Sequence, residues 1–423
     1  MALDSNDRSI AGFTMTGHAL VHWFETSIPI FLVVWLAEFD VGVALVGVVV
    51  ALGYAPFGLG ALPGGILADR FGTKRLILSC LAGMSLAFLA IAAAALVESI
   101  YAIAVGLVLW GVAASVYHPA GLSLISTGVE ERGTVFAWHG IAGNVGIALG
   151  PFVAATLLIV LEWQYVAALL ALPGLVAVAY GLRAEFDPQA AAETTDEEST
   201  KSLSPAELLG SSRALFASAF AIVFVLVTFE GLFYRGTLTY LPEILQGLPA
   251  MDGVDLGAGL EGIEPGQYVY VALLVVGMAG QYAGGKLTDR IRAARGLAAI
   301  FAILALLALA FVPVSGLGLP VIVAYCAVLG FFLFAIQPFY QEAVAVYTPP
   351  DGRGLSYGYT YLGEFGFGAA SIAIGGFVLG SSLELFFAML AGFALVGASL
   401  AVALAAGVDR VLWSVGEEAT ADD

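Results

Sequence analysis

Gly64-Gly65-Ile66-Leu67-Ala68-Asp69-Arg70 recurs 220 residues later as Gly284-Gly285-Lys286-Leu287-Thr288-Asp289-Arg290. Each copy closes a long apolar run. Each is trailed by basic residues, Lys74 and Arg75 in the first and Arg292 and Arg295 in the second. A repeat near half the chain length implies two related halves, not a short-period solenoid. In a membrane protein, two related halves are the architecture of a secondary transporter, with the substrate site expected between them.

The composition points the same way. Hydrophobic residues make up 60% of the 423, charged residues only 11%, and the mean hydropathy is +0.96. A soluble domain carries about 25% charged residues. A helix needs roughly 20 mainly apolar residues to cross the hydrocarbon core. Twelve stretches qualify: 10–37, 41–68, 76–97, 100–126, 134–159, 163–182, 214–241, 267–287, 296–315, 319–347, 355–380 and 382–408. The 52 glycines suit close helix packing. The short polar/apolar alternation of a membrane β-barrel is absent. The expected fold is an all-α polytopic membrane protein, with twelve transmembrane helices in two pseudo-symmetric six-helix bundles. Residues 1–183 form the N-terminal bundle, 184–213 an acidic cytoplasmic linker, 214–409 the C-terminal bundle, and 410–423 an acidic cytoplasmic tail. Residues 242–266 read as a long outer loop.

Charge sets the orientation. Fourteen of the 15 Lys and Arg fall in the N-terminus, in alternate loops or in the C-terminal tail. The positive-inside rule then places both termini and the central linker in the cytoplasm of a cell whose plasma membrane holds the chain. The net charge of −18 has the wrong sign for a nucleic-acid partner. Three lysines against twelve arginines, with acidic runs at 193–198 and at the C-terminus, suggest a high-salt cytoplasm. Cys80 and Cys326 lie in different halves and read as small buried residues, not a disulfide pair. The first span is too long for a cleavable signal.

The loop Gly65-Ile66-Leu67-Ala68-Asp69-Arg70-Phe71-Gly72-Thr73-Lys74-Arg75 resembles the signature loop of the major facilitator superfamily, G-x-L-a-D-R-x-G-r-K/R. The resemblance covers the whole chain: twelve spans, two halves, and the loop between spans two and three. It implies a gating loop at Gly65, Asp69, Arg70 and Gly72, with a weaker copy at Gly285, Asp289 and Arg290. Asp69 is placed to accept backbone N–H bonds at a neighbouring helix N-terminus, where the macrodipole favours an anion. For Lys74 and Arg75, topology marking is an equally good reading. Gly146-Ile147-Ala148-Leu149-Gly150-Pro151 resembles the antiporter motif of drug–proton exchangers, although Ala154 and Ala155 stand where that motif has a glycine pair. An ordinary glycine packing face with a proline accounts for Gly146, Gly150 and Pro151 equally well. Tyr117-His118-Pro119-Ala120-Gly121 with Gly143-Asn144-Val145-Gly146 is similar to the fosmidomycin-resistance branch, which also tends to carry a histidine and an acid in the first span, as His22 and Glu25 do here.

Polar residues inside spans carry the chemistry, because a charge at the bilayer centre costs at least ~2.5–3.5 kcal/mol. The spans hold Glu25, Glu230, Glu342 and Glu364, one arginine, Arg235, and all four histidines. Glu25 and Glu230 occupy matching places in spans one and seven and are the leading proton carriers; a structural hydrogen-bonded carboxyl is the alternative. Glu342 reads as a partner of Arg353. Arg235 could bind an anion or Glu, or snorkel to the headgroups. His22, His118, His139, Asn144 and Gln337 complete the expected substrate and proton pathway. His118 and His139 lie at similar depth on adjacent spans. Tyr357, Tyr359 and Tyr361 stand near Glu364 and could line a cavity. His18, His22 and Glu25 are spaced i, i+4, i+7 and share one helix face. That is also metal-ligand spacing, but a polar cavity wall is the preferred reading, so no metal and no cofactor is expected.

The function expected is secondary active transport of a small organic solute by alternating access, proton-coupled and outward. Uptake of a metabolite or metal ion is the alternative within transport. A receptor or enzyme on a transporter-like scaffold is the alternative of another class; no reactive cluster at a membrane face supports catalysis. The partners are the solute and the lipid bilayer, and the chain is expected to act as a monomer. Asp69→Asn is expected to leave expression and topology intact and to slow turnover. Unchanged flux in vesicles would remove this loop from the gate.

Overall fold

The computed structural model describes residues 3–191, 205–251, 254, 264–349 and 353–407. Every regular element among them is helical. In chain order they are α1 (Ser5–Glu38), α2 (Val43–Leu59), α3 (Ala61–Phe71), α4 (Thr73–Ala93), α5 (Ile100–Ala114), α6 (Tyr117–Gly128), α7 (Arg132–Leu158) and α8 (Trp163–Arg183). After the linker come α9 (Pro205–Phe216), α10 (Phe220–Gln246), α11 (Pro265–Thr288), α12 (Ala293–Ser315), α13 (Leu319–Tyr347), α14 (Arg353–Tyr361), α15 (Ala370–Leu379) and α16 (Leu383–Ala405). A π-helical turn, Leu362–Phe367, joins α14 to α15. Eleven of the continuous or joined helices are long and apolar enough to cross a membrane; α2 with α3, bent by 44°, makes the twelfth.

Two boundaries differ from the sequence expectation. The seventh span begins at Phe220, because the chain breaks after α9 and the Ser218 hydroxyl accepts the Phe220 N–H at 3.2 Å. The outer loop begins later than 242, because α10 continues through Pro242 to Gln246. Span four is split between α5 and α6 at Ser115–Val116. Pro119, which has no N–H to return to the preceding turn, explains a break at this point. The break sets His118 in the first turn of α6.

The chain divides into two compact units, Met1–Ser202 with Asp255–Val271, and Leu203–Val254 with Ala272–Asp423. Glycine contacts decide which helices touch in each. In the first unit, a Cβ on Gly111 of α5 would lie 1.9 Å from the Gly53 carbonyl oxygen of α2. Gly146 and Gly150 of α7 press on α1 in the same way, 1.9 Å from the Ala19 oxygen and 2.4 Å from that of Trp23. In the second unit, Gly280 of α11 rests on the Phe331 carbonyl of α13 (1.9 Å), and Gly330 of α13 on the Leu273 carbonyl of α11 (2.3 Å). Gly231 of α10 and Gly368 both meet the backbone of Glu364 in the π turn, at 2.3 and 2.0 Å from its carbonyl oxygen. No side chain fits at these places, so the glycines permit backbone-on-backbone packing that lipid alone would not drive.

The repeated phrase divides its labour between the two glycines of each pair. Gly64 lies against Pro119 and Gly284 against the Ala335 carbonyl, whereas a Cβ on Gly65 or Gly285 would meet nothing within 4 Å. The packing contact therefore belongs to the first glycine of each pair, because only that one faces the neighbouring helix. Gly72 closes α3 with φ +86°, a conformation that favours glycine, and α4 starts at the next residue. The second copy ends differently: α11 stops at Thr288, and Asp289 and Arg290 lie exposed in a turn.

Gly146→Val is expected to destabilise the protein by about 1–3 kcal/mol through overpacking of α1 on α7. Gly65→Ala, placed in open space, is expected to be neutral. Thermal unfolding of the two purified variants in one detergent checks the contrast, and equal midpoints would contradict it.

Candidate functional site

In the first unit, α1 brings His18, His22 and Glu25 to one face, and α6 and α7 bring the remaining histidines to it. The His22 Nδ1 lies 2.5 Å from the Glu25 Oε2. Its Nε2 lies 3.1 Å from the Nε2 of His18. The His18 Nδ1 lies 2.7 Å from the carbonyl oxygen of His139. The His18 ring stacks on the His139 ring, centroids 3.8 Å apart and planes 8° from parallel. Gly143, one turn beyond His139, makes the room: a Cβ there would be 2.5 Å from the His18 ring. His118 stands edge-on to His18 at 5.3 Å and tilted towards His22 at 5.5 Å between centroids. The Tyr117 hydroxyl donates to the Thr14 carbonyl and lies 3.2 Å from the His139 Nε2. The Tyr54 hydroxyl donates to the Glu25 carbonyl at 2.6 Å.

These contacts restrict the protons. A carbonyl oxygen only accepts, so the His18 Nδ1 carries a hydrogen. If the His18 ring is neutral, its Nε2 is a lone pair and needs an N–H from the His22 Nε2. The His22 Nδ1 then either carries a hydrogen too, making His22 an imidazolium beside a carboxylate, or accepts one from a protonated Glu25. If His18 is the imidazolium, it donates to the His22 Nε2, and the His22 Nδ1 donates to the Glu25 carboxylate. Every arrangement that satisfies the three contacts holds one proton more than a carboxylate and two neutral imidazoles. Without that proton, two lone pairs, or a lone pair and a carboxylate, would oppose each other at contact distance.

The second unit holds a different cluster. Glu230, Arg235 and Glu364 are 2%, 4% and 4% exposed. Glu230 lies within electrostatic range of both Glu364 and Arg235. The Glu364 Oε2 accepts the Tyr340 hydroxyl at 2.8 Å. The Arg235 guanidinium packs over the rings of Phe365 (4.2 Å) and Tyr234 (5.2 Å), a cation–π arrangement, rather than snorkelling outward. Neither carboxyl oxygen of Glu230 has a hydrogen-bond partner among the described residues. Glu364 sits in the π turn; such turns are frequent at functional sites. Of the three nearby tyrosines, Tyr361 lies within electrostatic range of Glu364, Tyr359 bonds the Ser212 hydroxyl at 2.9 Å, and Tyr357 is exposed.

The other expected residues fall outside these clusters. Asn144 and Gln337 are half-buried. Gly146 and Gly150 act as packing residues against α1, and Pro151 is buried inside a continuous α7. Arg70 is exposed beside the Phe71 ring. The Asp69 side chain lies outside the described residues, as does that of Arg353; Glu342 is exposed. A separate cavity of about 410 Å³, bordered by Glu38, Glu162, Trp163 and Glu264, contains none of the expected site residues.

The reading of the sequence missed Asp7. This acid is 2% exposed and accepts the backbone N–H groups of Glu130 and Glu131, both at 3.1 Å, at the start of α7. It is the carboxylate at a helix N-terminus that was expected of Asp69. Beside it, Asn6 donates to the Gly128 and Asp187 carbonyls and accepts the Asp187 N–H at 2.8 Å. Lys74 donates to the Ala184 carbonyl at 2.6 Å, so it has a structural partner besides marking topology. The polar run Asp4-Ser5-Asn6-Asp7 ahead of an apolar helix was the available signal, and it reads equally well as a solvated terminus.

Residues 14–372 match the family model described as Major Facilitator Superfamily. A "Na(+), Li(+), K(+)/H(+) antiporter" from Planococcus maritimus is 31% identical over 160 residues, 37% of this chain and 37% of that protein. The fold resembles the crystal structure of the nucleoside transporter NupG, with TM-score 0.71 and 14% identity over 95% of this chain and 99% of that one. It also resembles a D-xylose-proton symporter, with TM-score 0.69 and 15% identity over 94% and 97%.

Asp7→Ala removes two hydrogen bonds to a charged acceptor at the start of α7. Stability is expected to fall by roughly 1.5–3 kcal/mol. A thermal unfolding midpoint equal to that of the unsubstituted protein would contradict this role of Asp7.

Proposed function

Starting from the fact that the chain belongs to the major facilitator superfamily, and so is a multi-pass membrane transporter, we propose that it is a proton-coupled antiporter of the plasma membrane that exports a small organic solute by alternating access. Both termini face the cytoplasm in this reading. The observation that carries it is the Glu25–His22–His18 array, whose hydrogen bonds are satisfied only with one extra proton on board. A coupling site has to hold one proton tightly enough to carry it and loosely enough to release it. An acid and an imidazole in direct contact do this by sharing the charge. His22, with 12% of its side chain exposed, is the member open to exchange, and Glu25, at 3%, is the buried end.

The second unit supplies the complementary element. Glu230 has two buried oxygens without donors among the described residues, and such groups are costly unless something meets them. A solute carrying hydrogen-bond donors or positive charge would satisfy them, with Tyr340, Tyr361 and Phe365 as apolar and π surface nearby.

A second reading is exchange of alkali cations for protons. The relative from Planococcus maritimus favours it, and oxygen ligands such as Glu230 and Glu364 suit hard cations.

Everted vesicles with a pH-sensitive dye separate the readings. Addition of Na⁺, Li⁺ or K⁺ is expected to leave the pH gradient unchanged, and a member of an organic-cation panel to collapse it; the reverse outcome selects alkali-cation exchange. Glu25→Gln is expected to abolish gradient-driven flux and to keep equilibrium exchange of the same solute. Glu230→Gln is expected to weaken solute binding itself. If both variants keep full gradient-driven flux, the proton-coupled reading of these acids fails.

A further inference from the structure

The histidine cluster is more than a proton site requires. One acid and one imidazole suffice to hold a proton, yet four imidazoles gather here. Among the described residues, His18, His22 and His118 each offer a ring nitrogen, and the three atoms lie within 4.8 Å of one another. We propose that these three residues form a binding site for a divalent transition-metal ion of the zinc–cobalt–nickel class, which displaces the shared proton.

The geometry behind two of the three rings, His22 and His18, is that of a metal site. Metal-binding histidines donate their second N–H to a carboxylate or a backbone carbonyl, which fixes the tautomer and raises the basicity of the ligating nitrogen. His22 has its Nδ1 on the Glu25 carboxylate at 2.5 Å, and His18 has its Nδ1 on the His139 carbonyl at 2.7 Å. Both Nε2 atoms are thereby aimed at each other, 3.1 Å apart. Two nitrogens bound to one tetrahedral ion at about 2.0–2.1 Å stand ~3.3 Å apart. The His18–His22 pair is therefore already at ligand spacing, and the widest pair in the trio, at 4.8 Å, has to close by roughly 1.5 Å. His118 comes from another element, in the first turn of α6 just after the break in span four.

The surroundings hold the ligands still. His18 is clamped between the His139 ring and the space left by Gly143. The Tyr117 hydroxyl ties α6 to α1 through the Thr14 carbonyl. Imidazole nitrogen suits zinc, copper, nickel and iron(II), whereas hard alkali and alkaline-earth ions prefer oxygen. Three protein nitrogens leave a fourth position for water or an anion, the pattern of an exchangeable ion and not of a closed structural one. The exchange balances: the metal ion takes the two Nε2 lone pairs and the His118 nitrogen, the shared proton leaves to solvent, and Glu25 remains a carboxylate hydrogen-bonded to the His22 Nδ1–H.

Cobalt(II) titration of the tag-free, full-length protein in detergent tests the site without recourse to transport, so a failed antiport reading leaves it standing. Expected are the strong visible absorption bands of four-coordinate cobalt at one ion per chain, displacement of those bands by Zn²⁺, and release of one proton per ion. His22→Gln and His118→Asn are each expected to weaken binding at least ten-fold. Glu25→Gln, which acts through His22, is expected to weaken it by about 10–100-fold. Binding that survives the His22→Gln/His118→Asn double substitution would be adventitious and would overturn the proposal. Where a variant does not fold, X-ray absorption of the cobalt-loaded unsubstituted protein decides: three imidazole ligands support the site, and fewer than three overturn it.

Discussion

Gly146 carries no side chain, and a Cβ there would lie 1.9 Å from the Ala19 carbonyl oxygen. The contact between α1 and α7 follows from that, and with Gly143 and Gly150 it runs along both helices. The histidine cluster depends on it. Gly143 admits the His18 ring, the His139 carbonyl comes within 2.7 Å of the His18 Nδ1, and the His139 ring stacks on its face. Separated by ordinary side chains, α1 and α7 would leave His18 without its acceptor, and the restriction on protons would disappear. In lipid no hydrophobic force draws such helices together, so close approach and the hydrogen bonds it allows do the work.

The two units apply one packing rule to different chemistry. Gly111 rests on the Gly53 carbonyl in the first, and Gly330 on the Leu273 carbonyl in the second, 219 and 220 residues on. The first unit spends its α1–α7 contact on an acid whose hydrogen bond is made. The second brings the π turn against Gly231 and leaves both Glu230 oxygens without a hydrogen-bond partner among the described residues. The duplicated scaffold thus carries unlike buried charges in its two halves.

The polar residues also differ in how they resist water. Glu25 and Glu364 are each held by a neighbour that shares or donates a proton, His22 and Tyr340 respectively. Arg235 replaces hydration with the faces of Phe365 and Tyr234. Asp7 replaces it with backbone N–H groups at the start of α7. Each solution desolvates a charge against a group that cannot leave, and this is how few charges can be tolerated in a chain so apolar.

From the sequence alone, hydropathy determined the helical class and the spans, since twenty apolar residues have few other uses. The repeated glycine–aspartate phrase determined the family, and helical spacing put His18, His22 and Glu25 on one face. These are one-dimensional properties. Local reading misplaced the start of span seven, because only the Ser218 hydroxyl and the break after α9 decide it. Nor could it tell the two glycines of each repeated pair apart, since adjacent glycines differ only in what stands opposite them; Gly64 and Gly284 face the neighbour. The meeting of His118 and His139 with His18 needed three helices in register. The role of Asp7 as a helix-end carboxylate needed the start of α7 to lie over the start of α1. Distances between residues more than a hundred positions apart are set by packing, and no periodicity in the chain encodes them.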